Sequence, residues 1–479
     1  MKYEVVMGLE VHVELATESK LFCACSAKFG ANANENVCPA CAGMPGMPAV
    51  TNKKAVELGI AAALVTNSEI TRTMTFDKKN YFYPDLPTGY QITQLFAPIC
   101  TNGWVEIETE TGMRKITLKQ IHVEEDAGKL VHDSRTESSL VDFNRTSVPL
   151  VEVVSNPDFR TADEVVAYLE KLRSLLSFAG VSDCKMEEGS MRCDVNISVR
   201  ETGTKTLGVR TEMKNMNSLK SIARVIEYES NRHIEALETG CEKLIQETRR
   251  WDDDKGETFA MREKENATDY RYFPNPELAP VFISDEWIES VRKNLPENAY
   301  DKFDRMTGQL GLSAYDSKII TGSRNLSFMF DEISKSFHKH KDIVNWLCVD
   351  LLSVAKGKGK SEDNIDIDCE AFSKIICMVD EQTINRSVGK KLLIHLFEED
   401  DFDPEAYVEE NKLGMVTDTG FLENIIKEVI SENEKSVLEY KGGNKKVVGF
   451  FVGKIMQKSE GKADPKSVNQ ILGKILDEM

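Results

Sequence analysis

Over the first 290 residues, apolar and polar positions mostly alternate in short runs broken by Gly, Pro and Asn, a period of two that predicts strands. The runs 8–15, 148–158, 190–200 and 209–218 all show it. Between them, 163–180 and 218–237 place apolar residues three and four apart, the spacing of a helix with one buried face. Beyond 269–280 the alternation gives way to helical periodicity, so a domain boundary is expected near 290. A Lys/Gly/Ser/Asp stretch at 355–368 and an acidic turn at 398–405 divide the remainder of the chain. The last helix is expected to begin at Asp464-Pro465, with Val468, Ile471, Leu472, Ile475 and Leu476 on one face. The predicted class is α+β: an N-terminal domain, 1–290, on antiparallel sheet with helices, an all-helical domain, 291–405, and a small helical tail domain, 406–479.

The polar sides of the strands are chemically unusual. In 8–15, period two puts Glu10, His12 and Glu14 opposite Leu9, Val11, Val13 and Leu15. In 190–200, Arg192, Asp194, Asn196, Ser198 and Arg200 share a face, and in 209–214 Arg210, Glu212 and Lys214 do. The run 121–129 adds Glu124, Glu125 and Asp126, and 144–154 adds Arg145 and Glu152. Carboxylates beside one imidazole suit Mg²⁺ or Mn²⁺, and interleaved Arg and Lys suit phosphate oxygens. Together they fit phosphoryl transfer, which needs positioning and charge neutralisation rather than a nucleophilic side chain. A set of surface ion pairs accounts for the same residues.

Composition narrows the field. With 41 % hydrophobic and 29 % charged residues among 479, the chain has the make-up of a globular protein of several domains. The longest apolar stretches are far short of a membrane span, and no signal peptide or anchor is evident, so a cytoplasmic protein with no membrane partner is expected. A net charge of −19 argues against non-specific nucleic-acid binding by the whole body. The tail differs: from residue 435 onward lysines outnumber acids by four, leaving −23 elsewhere. Lys441, Lys445, Lys446, Lys454 and Lys458 are candidate phosphate contacts, or a solvated helix surface.

Of the 11 cysteines, four are grouped as Cys23-x-Cys25 and Cys38-x-x-Cys41. Two close pairs joined by a short loop supply four thiolates for a closed, structural Zn²⁺ site. A redox pair is disfavoured because Cys41 runs into a Gly/Pro loop instead of opening a helix. GKS at 359–361 lacks the upstream glycine of a phosphate loop, Val354 standing there.

The segments LVDFNRTSVPLVEVVSNPD, FDKKNYFYPDLPTGYQITQ, IHVEEDAGK, KMEEGSMRCDVNISVR, MKNMNS, QETRRWD and DYRYFP resemble, in order and over essentially the whole chain, the B subunit of the glutamine-dependent aspartyl/glutamyl-tRNA amidotransferases. The resemblance implies a cradle-shaped catalytic domain, a helical domain and a tRNA-contacting tail. It implies ATP-dependent phosphorylation of the side-chain carboxylate of misacylated Glu-tRNA or Asp-tRNA, then amidation by ammonia. The ammonia would come from an amidase-type glutaminase, the A subunit, with a small C subunit to complete a heterotrimer. This chain shows no amidase Ser-Ser-Lys signature and no Cys-His glutaminase pair. Carried over residue by residue, the Mg²⁺ ligands are His12, Glu124, Glu152 and Glu212 with Glu10, and the catalytic group is His12, Glu124, Glu152 and Glu212 together with Glu125. Lys78, Lys79, Arg145, Arg192 and Lys214, with Asp194 and Asn196, are the implied ATP and phosphate contacts. Tyr81, Phe82 and Tyr83 are candidates for base stacking or plain packing. The competing readings are an unrelated metal-dependent phosphotransferase and a non-catalytic tRNA-docking subunit.

Overall fold

The computed structural model describes all residues except 1, 134–137, 264–269, 400, 416–418, 442–446, 460–462, 464 and 479, and it divides into two compact units, Met1–Asn298 and Ala299–Met479. The expected cap Asp464 and the candidate contacts Lys445 and Lys446 lie outside the described residues.

The first unit is α+β. Its strands include β1 (Tyr3–Glu14), β2 (Asp77–Asn80), β3 (Tyr90–Thr93), β4 (Gly112–Glu125), β5 (Pro149–Ser155), β6 (Met191–Glu201), β7 (Thr211–Lys214), β8 (Glu247–Asp252) and β9 (Glu257–Glu263). Two long helices pack on them, α1 (Ala162–Phe178) and α2 (Leu219–Thr239). The main sheet runs β9-β8-β7-β6-β1-β5-β4 and continues through the short strands Cys100–Thr101 and Glu69–Ile70. Neighbours from β7 to β4 are antiparallel, whereas β7 and β8 are parallel. Strand β2 pairs with β3 on one side and with Phe273–Pro274 on the other in a separate small sheet.

The alternation seen in the sequence becomes a two-sided sheet. Leu9, Val11 and Val13 of β1, Val151 and Val153 of β5, and Cys193, Val195 and Ile197 of β6 join one core with Val165, Leu169 and Leu172 of α1 and Ile222, Val225 and Ile226 of α2. Each such side chain contributes about 1.5–3 kcal/mol by leaving water, so the register that buries them also dictates which polar groups face the other way. Helix α1 starts in a reciprocal cap between Thr161 and Glu164. Helix α2 starts at Ser218, whose hydroxyl accepts from Ser221 N–H, and stops at Gly240 with φ 66°, a left-handed residue that glycine adopts without Cβ strain.

The second unit is helical, with one core running from Met306 to Val408 and another from Leu422 to Leu476. The second gathers helices Thr419–Glu432, Val447–Lys458 and Pro465–Glu478. Among the described residues no helix is long and apolar enough to cross a membrane.

Candidate functional site

Strand β1 lies between β5 and β6, and its register decides which polar groups meet. His12 stands opposite Glu152 on one side and Arg192 on the other, and Glu10 stands opposite Asp194. Across the next pairings, Glu152 faces His122 and Asn196 faces Glu212. The result is two groups. In one, His12 Nε2 is 3.6 Å from Glu124 Oε1 and 3.9 Å from Glu152 Oε1. In the other, Glu10, Asp194 and Glu212 bring carboxylate oxygens within 4.8 Å of one another. The five ligands expected from sequence are thus shared between two clusters, and Asp194 joins the acidic one.

The His12 group fits a hard divalent ion. Ligands about 2.1 Å from Mg²⁺ in an octahedron stand about 3.0 to 4.2 Å apart, a range that includes both distances from His12 Nε2. Burial, then the neighbouring Glu152, pushes the Glu124 carboxyl up. Burial opposes ionisation of Glu152 too, but the His122 hydrogen bond and His12 hold it well below the usual carboxylate range. A cation would relieve the repulsion of two such carboxylates.

Neighbouring side chains hold a carboxylate oxygen of each of four glutamates. Thr93 Oγ1 donates to Glu124 Oε2 at 2.8 Å, and His122 Nδ1 meets Glu152 Oε2 at 3.2 Å. Thr248 Oγ1 donates to Glu212 Oε2 at 2.8 Å, and Asn196 Nδ2 to Glu10 Oε1 at 3.1 Å. None of Thr93, His122 or Thr248 emerges from the sequence as a candidate, because a lone Thr or His carries no pattern. Only the register Glu152↔His122 identifies the pairing.

The cations have different placements. Lys214 pairs with Asp194 and lies 3.6 Å from Glu212 Oε1, which pushes its ammonium up against the opposing effect of burial. Arg192 donates to Asp126 Oδ2 at 2.6 Å. Arg145 is 3.4 Å from the same oxygen and donates to the Ala127 and Gly128 carbonyls. Lys78 is engaged with Glu277 at 3.2 Å and lies over the Tyr90 ring. Lys79 lies over the rings of Tyr81 and Tyr270, 5.6 and 4.9 Å from their centroids, and its charge reaches Glu124 and Glu152. Phe82 and Tyr83 are exposed.

Glu125 points away from its neighbour. Its Oε1 accepts from Ile92 N–H at 2.9 Å, and burial pushes its carboxyl up to about 7. It lines a cavity of about 250 Å³ shared with Cys23, Cys41, Thr146 and Ser147. The four thiols of Cys23, Cys25, Cys38 and Cys41 gather within 4.8 Å, a cluster able to hold a metal such as zinc. The Cys38–Cys41 separation of 3.9 Å is close to the roughly 3.8 Å edge of a tetrahedral Zn–sulfur site. Lys20, wholly buried, sits 3.5 Å from Cys41 Sγ. Hydrogen bonding from Cys23, assisted by Cys38 N–H and Lys20, pulls the Cys41 thiol down to about 4.

In the second unit, Lys458 is paired with Glu428 at 2.9 Å and Glu432 at 2.7 Å, Lys454 is exposed, and Lys441 ends helix Glu434–Lys441.

Comparison with known proteins identifies the family of the chain. A family model described as the GatB/GatE catalytic domain matches residues 5–289, and one described as the GatB domain matches 329–476. The chain is similar to the aspartyl/glutamyl-tRNA(Asn/Gln) amidotransferase B subunit of Lachnoclostridium phytofermentans, 50 % identical over 474 residues, 99 % of each chain. It is 50 % identical over the same length and shares to the corresponding subunit of Agathobacter rectalis. A B subunit of the same description from Clostridium acetobutylicum is 48 % identical over 473 residues, 98 % of each chain.

Proposed function

The chain belongs to the GatB/GatE family of tRNA-dependent amidotransferase B subunits, and on that premise we propose that its charged sheet face activates the side-chain carboxylate of Glu-tRNA(Gln) or Asp-tRNA(Asn) with ATP and converts it to the amide. The observation that carries this reading is the convergence of His12 Nε2 with one oxygen each of Glu124 and Glu152.

The reaction has two displacements. The substrate carboxylate oxygen attacks the γ-phosphorus of ATP and ADP leaves. Ammonia then attacks the acyl carbon, phosphate departs, and the amide nitrogen loses a proton. A divalent cation, Mg²⁺ or Mn²⁺, would neutralise phosphate charge when held by His12, Glu124 and Glu152, with Glu10, Asp194 and Glu212 offering acidic donors alongside. Lys214, Lys79 and Arg192 carry the positive charge for the oxygens of the transferring phosphoryl group. Lys78 and Arg145 support from their ion pairs with Glu277 and Asp126. Asn196 keeps Glu10 in place. Glu125, on the cavity side, belongs to the expected catalytic group through the handling of ammonia or its proton. Zinc on the four cysteines would brace the 22–48 loop, since a closed tetrathiolate site leaves no position for substrate. The described tail lysines Lys441 and Lys454 would contact tRNA phosphates, while Lys458 is paired with Glu428 and Glu432. The partners are misacylated tRNA, the glutaminase A subunit, and the small C subunit, in the cytoplasm.

The test supplies the assembled subunits with misacylated tRNA, ATP and ammonium chloride without glutamine. Amide formation is expected, with a fall of about 10²- to 10³-fold in His12→Ala and Glu212→Ala. Wild-type rates in both variants would favour a docking role, and ATP turnover without tRNA a small-molecule phosphotransferase.

A further inference from the structure

We propose that Thr93 and His122 are positioning residues that orient the two carboxylates of the His12 group, each tying down one oxygen so that the other is presented to a divalent cation. This rests on the cation reading of that group given above.

Two carboxylates from different strands show the same division of labour. In Glu124, Oε2 is taken by the Thr93 hydroxyl at 2.8 Å while Oε1 faces His12 Nε2 at 3.6 Å. In Glu152, Oε2 is taken by His122 Nδ1 at 3.2 Å while Oε1 faces the same His12 nitrogen at 3.9 Å. The terminal torsion of a glutamate is broad and two-fold, so an unrestrained carboxylate presents either oxygen at any tilt. A hydrogen bond to one oxygen removes that freedom before the cation arrives. Partners that orient metal ligands in this way typically contribute 10- to 100-fold to affinity.

His122 is close enough to the group to be mistaken for a ligand, but both its ring nitrogens are committed. Nδ1 meets Glu152, and Nε2 meets the Gln120 side-chain amide at 2.5 Å. Gln120 therefore fixes the ring plane from behind. The cross-strand register sets His122 directly opposite Glu152, so its reach depends on sheet pairing rather than on a flexible side chain. Thr93 acts from a different sheet: β3 pairs with β2, and its hydroxyl enters from that side. Both residues are buried, which keeps water from competing for the oxygens they hold.

The experiment measures Mn²⁺ binding to the full chain by electron paramagnetic resonance, with the cysteine group kept zinc-loaded, and defines the site as the binding lost in His12→Ala. His122→Asn places its amide nitrogen where Nδ1 stands and keeps the bond to Glu152. His122→Gln places its amide near Nε2 and leaves Glu152 unheld. The expected result is a loss of about 10- to 100-fold in Mn²⁺ affinity for His122→Gln, with His122→Asn close to the parent. Thr93→Val should lose affinity and Thr93→Ser recover it, and this pair carries the test if His122→Gln fails to fold. Parental affinity in both His122→Gln and Thr93→Val, or equal losses in the Asn and Gln variants together with the Ser and Val variants, would overturn the positioning role while leaving the site intact. Unchanged Mn²⁺ binding in His12→Ala would overturn the site itself.

Discussion

Replacing Lys20 with methionine should loosen the hold of the four-cysteine group on zinc. Lys20 is wholly buried, its ammonium 3.5 Å from Cys41 Sγ and 3.1 Å from the Phe143 carbonyl. Zinc with four thiolates carries a net charge of −2, and the ammonium is the counter-charge in contact with it. Two unit charges 3.5 Å apart interact by about 5 kcal/mol at an effective dielectric constant of about 20. Removing the ammonium also removes its own desolvation penalty of several kcal/mol, and the negative charge is spread over four sulfurs. The net loss should be about 1.5–3 kcal/mol, or roughly 10- to 100-fold in affinity. Competition against a chromogenic chelator at fixed pH measures it directly, and melting with and without zinc gives a second reading, in which the stabilisation by the metal shrinks. Cys38→Ser serves as the control that loses the metal. If Lys20→Met binds zinc as tightly as the parent while Cys38→Ser does not, the ammonium serves the Phe143 carbonyl and the counter-charge argument is wrong.

Three further outcomes are expected from other parts of the molecule. His233 is wholly buried with Nε2 2.9 Å from Thr211 Oγ1, and burial, helped by Arg232, pushes its imidazole from 6.5 down to about 4. As pH falls the unfolded chain takes that proton first, so the stability His233 contributes is complete above about pH 6.5 and disappears towards pH 4, amounting to about 2–3 kcal/mol; urea unfolding at pH 7 and 4.5 should show His233→Gln losing less than the parent by that amount, and equal losses would contradict it. A Cβ on Gly208 would stand 2.0 Å from the Val199 carbonyl oxygen, so Gly208→Ala must move backbone next to β6 and should destabilise the first unit by about 1–3 kcal/mol, whereas an unchanged melting point would show that the chain relaxes freely there. Asp350, buried in the second unit, binds Arg386 at 2.5 Å and Lys390 at 2.7 Å, but both cations are about half exposed and can turn to water, so Asp350→Ala should cost about 1–2 kcal/mol rather than the 3–5 of a fully buried pair, a difference that chemical denaturation resolves.

The strands and helices were legible because period two and period 3.6 are local properties of the chain. Leu9, Val11 and Val13 announce a buried side of β1, and by exclusion Glu10 and His12 share the other. Which residues of other strands meet them is a matter of register, to which no local pattern responds. Hence the separation into a His12 group and a Glu10 group, and the move of Asp194 into the latter, became visible only with the pairings Glu10↔Asp194 and His12↔Glu152. Glu124 and Glu125 show the same limit from the other side. Adjacent strand residues must diverge, yet only the bond from Ile92 N–H shows where Glu125 goes. Thr93, His122 and Lys20 gave no signal in the sequence because each matters through contact with residues distant along the chain.

Both acidic groups hang from one strand. Glu10 and His12 are two residues apart on β1, and an antiparallel strand rises about 3.4 Å per residue, so their anchor points are held about 6.8 Å apart by covalent geometry. Packing, loop length and the approach of other strands can tilt this pair or shift it as a whole, but they cannot stretch it. Strand β1 is therefore a ruler between the two clusters, and variation elsewhere in the sheet changes what is laid against it without changing its graduation.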